Sequence, residues 1–377
     1  MSSLPPTLPP ENQAVSAYAS AYEFCLRVEH ALTNLLADTT MNGEEIRLHL
    51  VYIRILGYLL HYMPTRAGLD NLTHEIQIST SDNDLVELGQ TYYGHILRTN
   101  PTWKAEPRTY RTSMQSYTLS QRRRLESYAI EKVYEGIYQC KQALSRDKFC
   151  CVISGSYDAD ALLENVELRN KYSAQVPRPE NTFTECAHIF SGAINSDVEP
   201  GTAQKRDHAA TIRSFGYCFG CSGIHDELKG ANIHRLENVM TLDHPLYCFF
   251  DRLRLWFVAT DQPNQYRVST SDEIVPYKDK LVTFETDDPV NLPVPSPVYL
   301  AIHAACAQAA QLSGAAKCIE KYYEDMEELQ EAMEVLSPDD GSSSGLLDHT
   351  LFGLQISAYQ QGDPPANPSF RGASVCF

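Results

Sequence analysis

Thr184-Glu-Cys-Ala-His-Ile-Phe190 and, after an insertion, Asn238-Val-Met-Thr-Leu-Asp-His-Pro-Leu-Tyr-Cys-Phe-Phe-Asp251 are the stretches on which the fold turns. The first belongs to a run over 182–190 rich in Cys and β-branched residues, which suits a strand with His188 near its end. Asn238 then begins a connection. Pro245 suits a first helical turn and puts His244 at the start of that helix. Tyr247 and Asp251 are four residues apart, so they share one helix face and can project toward one ion. Phosphodiester hydrolysis needs this combination of groups. Imidazole takes a proton from water near neutral pH, a divalent cation stabilises the charge building on phosphate, and an Asn amide can brace the loop between strand and helix.

Working outward, apolar residues at helical spacing predict helices over 14–38 and 44–63, a third from Asp82 to Ile96, and a fourth from Ser120 to about Leu144. Phe149–Ser154, Leu253–Ala259 and Leu281–Glu285 read as further strands. Helix returns over 298–334 after Pro297, with a break near Gly314. Ser337–Gly345 reads as a linker, and the last thirty residues are punctuated by Pro and Gly.

The residues Cys151 to Gly155, Ala187-His188-Ile189, Asn238 to Leu242 and Tyr247-Cys-Phe-Phe250-Asp251 together resemble the HNH endonuclease family, in the subtype found in many fungal proteins. That subtype shows C-x-x-[ST]-G, A-H-I, N-x-x-x-L and H-x-x-F-D segments in this order. Leu255-Trp256-Phe257, Val282-Thr-Phe284 and His303 to Ala316 extend the likeness to roughly residues 145–320. The resemblance implies an α+β chain with a helical N-terminal region, a central ββα-metal core with insertions, and a helical C-terminal segment. With composition and apolar spacing outside the likeness, the chain reads as a disordered stretch over 1–13, helices over 14–144, the core over 145–320, and an acidic helix end, linker and tail over 321–377. By the same resemblance His188 is the general base, Asn238 the structural Asn, and positions 247 and 251 the ligands of Mg²⁺ or Mn²⁺, with DNA as substrate. The sequence departs from the pattern at Tyr247, where the family carries His. Phenol is a poor ligand for a hard cation at neutral pH. Asp251 is then the matched ligand and His244 its stand-in. The expected function is a metal-dependent endonuclease, and the alternative is a lapsed HNH scaffold that binds instead of cutting.

Charge bears on the substrate. The 377 residues carry 31 Lys and Arg against 48 Asp and Glu, a net −17 that at first sight argues against a phosphate partner. The charge is uneven, however. Residues 98–132 hold eight basic against three acidic side chains, including the Arg122, Arg123, Arg124 triplet, while 320–340 hold nine acidic and one basic. The triplet reads either as a phosphate grip or as a solvated helix face.

Eleven cysteines, irregularly spaced, suggest reduced thiols and an intracellular protein of cytoplasm or nucleus. The Ser/Pro-rich start is no secretory signal. The most apolar stretch, 48–63, is interrupted by Arg54 and too short for a membrane span. Cys218-x-x-Cys221 raises zinc, with Cys186 and His188 as partners. One such pair is fewer than a structural zinc site normally shows, and buried thiols are the simpler alternative.

Overall fold

A computed structural model describes residues 2–37, 43–99, 136, 138–190 and 215–321. The chain divides into two units, Met1–Glu320 and Lys321–Phe377, and the first contains every helix and strand named below. The basic segment with Arg122, Arg123 and Arg124, the acidic run beyond Lys321 and the linker lie outside the described residues.

A short helix over Pro10–Gln13, inside the stretch 1–13 expected to be disordered and where Leu4 and Leu8 are buried, precedes four consecutive helices: α1 (Ser16–Ala37), α2 (Gly43–Tyr62), α3 (Arg66–Ile78) and α4 (Asp82–Thr99). The first, second and fourth follow the predicted periodicity. The third is not among the expected helices, although Leu69, Leu72, Thr73 and Ile76 are buried at helical spacing and Thr65 caps it by accepting a hydrogen bond from Gly68 N. Helix α2 is the axis of this half and is buried continuously from Leu50 to Leu60. The charge that interrupts its apolar run is matched from α1. Arg54 Nε lies 2.5 Å from Glu29 Oε1, and that carboxylate also accepts Leu4 N at 3.1 Å. A charge at this depth is tolerated because it is paired and hydrogen-bonded.

The other half contains three small sheets. Strands β1 (Tyr157–Asp158) and β2 (Asn181–Thr182) pair in parallel, while β3 (Thr184–His188) and β4 (Val239–Asp243) form an antiparallel ladder with His188 opposite Val239. The predicted strand over 182–190 is thus divided at Phe183 between two sheets. Helix α5 (His244–Asp251) follows β4 directly, capped by Asp243, whose side chain accepts Leu246 N. Strands β5 (Leu255–Ala259), β6 (Gln265–Thr270) and β7 (Leu281–Thr283) form an antiparallel meander. Helix α6 (Pro297–Ser313) packs on both α2 and β5 and joins the two halves. It stops at Gly314, whose φ of 91° ends the helix where a break was expected. Its His303 is fully buried and stacks on Phe250 with ring centroids 4.0 Å apart, and burial pushes its pKa down to about 3. It is therefore a neutral ring of the core.

Three further expectations are corrected. Phe149–Ser154 is a turn, not a strand: Lys148 and Phe149 adopt φ of 58° and 61°, and Gly155 N returns to Cys151 O. Residues 239–242, expected as a loop, are strand β4. All five residues of β4 are buried, so it shows no in–out alternation. The cysteines are not all reduced, because Cys140 and Cys186 form a disulfide with Cα atoms 5.5 Å apart. Among the described residues no helix is long and apolar enough to cross a membrane.

Candidate functional site

Asn238 sits at the junction that places the site. It is fully buried; its Oδ1 accepts Phe190 N at 3.0 Å, and its Nδ2 donates to Phe190 O at 3.0 Å and Ile233 O at 2.8 Å. Ile189 N donates to Asn238 O at 2.8 Å. The amide therefore ties the residues after β3 to those before β4, fixing where the end of β3 presents His188. The bracing role expected for Asn238 has this geometry behind it.

His188 Nε2 lies 3.0 Å from His234 Nδ1, with the rings near edge-on at 72°. His234 is not among the expected site residues, since nothing in Asn232-Ile-His234 marks it except its nearness to Asn238. Both imidazoles face a cleft of about 1150 Å³. Strand alternation puts Thr184 and Cys186 on the same face as His188, and both also line the cleft. The opposite wall comes from the helical segment 138–146 with Gly136. Among the described lining residues, Asp158, Asp160, Glu164, Glu167 and Glu185 are set against Lys141.

The anchor beneath this cleft is a buried ion pair. Arg146 Nη1 donates to Leu236 O and Pro293 O, at 2.8 and 2.9 Å. Its Nη2 donates to Val239 O at 2.8 Å, and Nε to Asp147 Oδ1 at 2.8 Å. Asp147 Oδ2 in turn accepts Thr241 N at 2.8 Å. Arg146 and Asp147 hold β4 against the segment that carries Cys140.

The residues expected to ligate a metal stand elsewhere. His244 is exposed at the start of α5, its Nδ1 3.3 Å from Glu185 Oε1. Asp251 is buried, 2% exposed, while the nearby Arg254 Nε donates to Glu320 Oε1 at 2.7 Å. Burial, with Asp251 and Glu185 adding to it, pushes the Tyr247 phenol up to about 12, so it is protonated at neutral pH. Ala187, just before His188, is fully buried and brings no donor. Among the described residues no group of three or more His, Cys, Asp or Glu side chains is placed to hold a metal ion.

The combination of Cys186 and His188 with Cys218 and Cys221 as zinc ligands also comes apart. Cys186 is bonded to Cys140. Cys218 lies against the Tyr92 hydroxyl with Glu75 nearby, and burial pushes its thiol up to about 12. The Cys218–Cys221 loop docks on the start of α3, where Thr65 Oγ1 donates to Phe219 O at 2.6 Å and Asn71 Nδ2 to Tyr217 O at 2.7 Å. No family model, curated protein or solved structure matches the chain.

Proposed function

We propose that residues 184–251 are an HNH-type ββα core whose metal centre has lapsed, and that the protein uses this core as a binding scaffold. The observation that carries the proposal is a contrast within one short region. The β3–β4–α5 order and the three hydrogen bonds of Asn238 support the reading of such a core. The donors do not follow. A hard cation needs several accessible oxygen or imidazole ligands, whereas Ala187 has none, Tyr247 keeps its proton, and Asp251 is buried. These residues do not fit a Mg²⁺ or Mn²⁺ centre, and no catalytic step runs through one. The described cleft lining adds to this: five carboxylates against one lysine repel a phosphate backbone.

A working endonuclease is the second reading, and the His188–His234 bond favours it. An imidazole held at a cleft by another group is how a general base is held. A plasmid-relaxation assay with Mg²⁺ or Mn²⁺ separates the two. Wild-type protein is expected to nick no faster than His188→Ala. Metal-dependent nicking that His188→Ala abolishes would replace the scaffold with the endonuclease.

A further inference from the structure

We propose that Cys140, Cys186, His188 and His234 form a redox-gated zinc site: closed as the disulfide, and a Cys₂His₂ tetrahedron once reduced. The inference does not rest on the function proposed above. It rests on four donor side chains that line one cleft and come from three separate places in the sequence.

The juxtaposition follows from local geometry. Cys186 and His188 are two apart on β3 and so share its face. Gly136 and Cys140 are four apart on the helical segment opposite and share its face. A Cβ added at Gly136 would lie 3.1 Å from both Cε1 and Nε2 of His234, so the Cys140-bearing face runs directly against that imidazole. His234 is itself 3.0 Å from His188 Nε2. Two nitrogens bound to one tetrahedral zinc, each at about 2.0–2.1 Å, stand roughly 3.3 Å apart. The imidazole pair is already close to that separation. The two sulfurs would part to roughly 3.8 Å, the spacing of two thiolates each about 2.3 Å from zinc. Two thiolates with two imidazoles are a donor set that selects zinc over hard cations.

The chemistry balances with a thiol as reductant. Two equivalents of a small-molecule or protein thiol reduce the Cys140–Cys186 disulfide to two thiols and leave as their own disulfide. Zinc then binds both sulfurs as thiolates, releasing two protons; the proton shared between His188 Nε2 and His234 Nδ1 passes to the far nitrogen of its own ring, so that each neutral imidazole gives the ion one lone pair. Reoxidation by a disulfide re-forms the cross-link and expels the ion. In the oxidised form the sulfurs are committed to each other, consistent with the lack of a three-donor group among the described residues.

The test uses the full chain, reduced with a phosphine and titrated with Co²⁺, which is then displaced by Zn²⁺. The expected result is thiolate-to-cobalt charge-transfer absorption with tetrahedral d–d bands in the reduced protein, and loss of both in the disulfide form. Cys140→Ser and His234→Ala are expected to lose the bands, while Cys218→Ser/Cys221→Ser keeps them. Absence of the bands in folded, reduced wild type, or their persistence in Cys140→Ser/Cys186→Ser, overturns the site. A second readout needs no variant. Zn²⁺ is expected to protect Cys140 and Cys186 of the reduced chain from iodoacetamide, scored by peptide mass spectrometry. Equal alkylation with and without Zn²⁺ also overturns it.

Discussion

Arg146→Met is expected to lower the free energy of unfolding by about 3–5 kcal/mol, the usual cost of removing one partner from a buried ion pair. The side chains of Arg146 and Asp147 are 0% and 3% exposed. Removing the guanidinium leaves the Asp147 carboxylate in the interior with an uncompensated charge. It also strips the carbonyls of Leu236, Val239 and Pro293 of their donor. Arg146→Lys is expected to recover only part of the loss, because one ammonium cannot reproduce a fork that serves three carbonyls and a carboxylate. Arg146→Met with Asp147→Asn is expected to cost less than the two single changes added together, since the orphaned charge is gone. Urea unfolding measures this as a shift of the midpoint at constant slope. A loss below about 1 kcal/mol would mean that the pair is dispensable.

Asn238→Ala carries the next largest expected effect, a loss of about 3 kcal/mol or more. Three buried backbone groups lose a partner at once: Phe190 N, Phe190 O and Ile233 O. Each unsatisfied group costs about 1–3 kcal/mol. Asn238→Asp separates hydrogen bonding from packing. It keeps an acceptor for Phe190 N but turns a second oxygen toward two carbonyls, so it is expected to destabilise about as much as the alanine change. Hydrogen exchange at the Phe190 amide reports the local effect, with protection falling more than at α2. Unchanged protection in Asn238→Ala would show that the brace is not what holds β3 to the segment before β4.

How much of the fold and the site is legible in the sequence depends on how local each signal is. Helices α1, α2 and α4 and the break at Gly314 follow from periodicity and a single glycine. The end of β3 at His188 and the start of α5 at His244–Pro245 are equally local. Strand β6 and helix α3, absent from the expected elements, carry signals of the same kind: Tyr266 and Val268 alternate with exposed or half-buried neighbours, and Leu69, Leu72 and Ile76 keep helical spacing. Strand β4 carries none, because a strand buried on both faces has no period of two. The site itself is mostly non-local. Arg146-Asp147 reads as an ordinary charged pair until its partners, some ninety residues on, are brought to it. Cys140 finds Cys186 across 46 residues, among eleven cysteines. His234 acquires meaning only from the ring of His188.

The proposal that residues 184–251 form a ββα core without a hard cation is tested most directly by isothermal titration of Mn²⁺ into the disulfide form of the chain, beside Tyr247→His. Wild type is expected to show no saturable heat, because Tyr247 keeps its proton, Ala187 offers no donor and Asp251 is buried. Placing an imidazole at position 247, on the same helix face as Asp251, is expected to create weak binding at most. Saturable Mn²⁺ binding by wild type that Asp251→Ala abolishes would contradict the account and restore a metal centre to the helix.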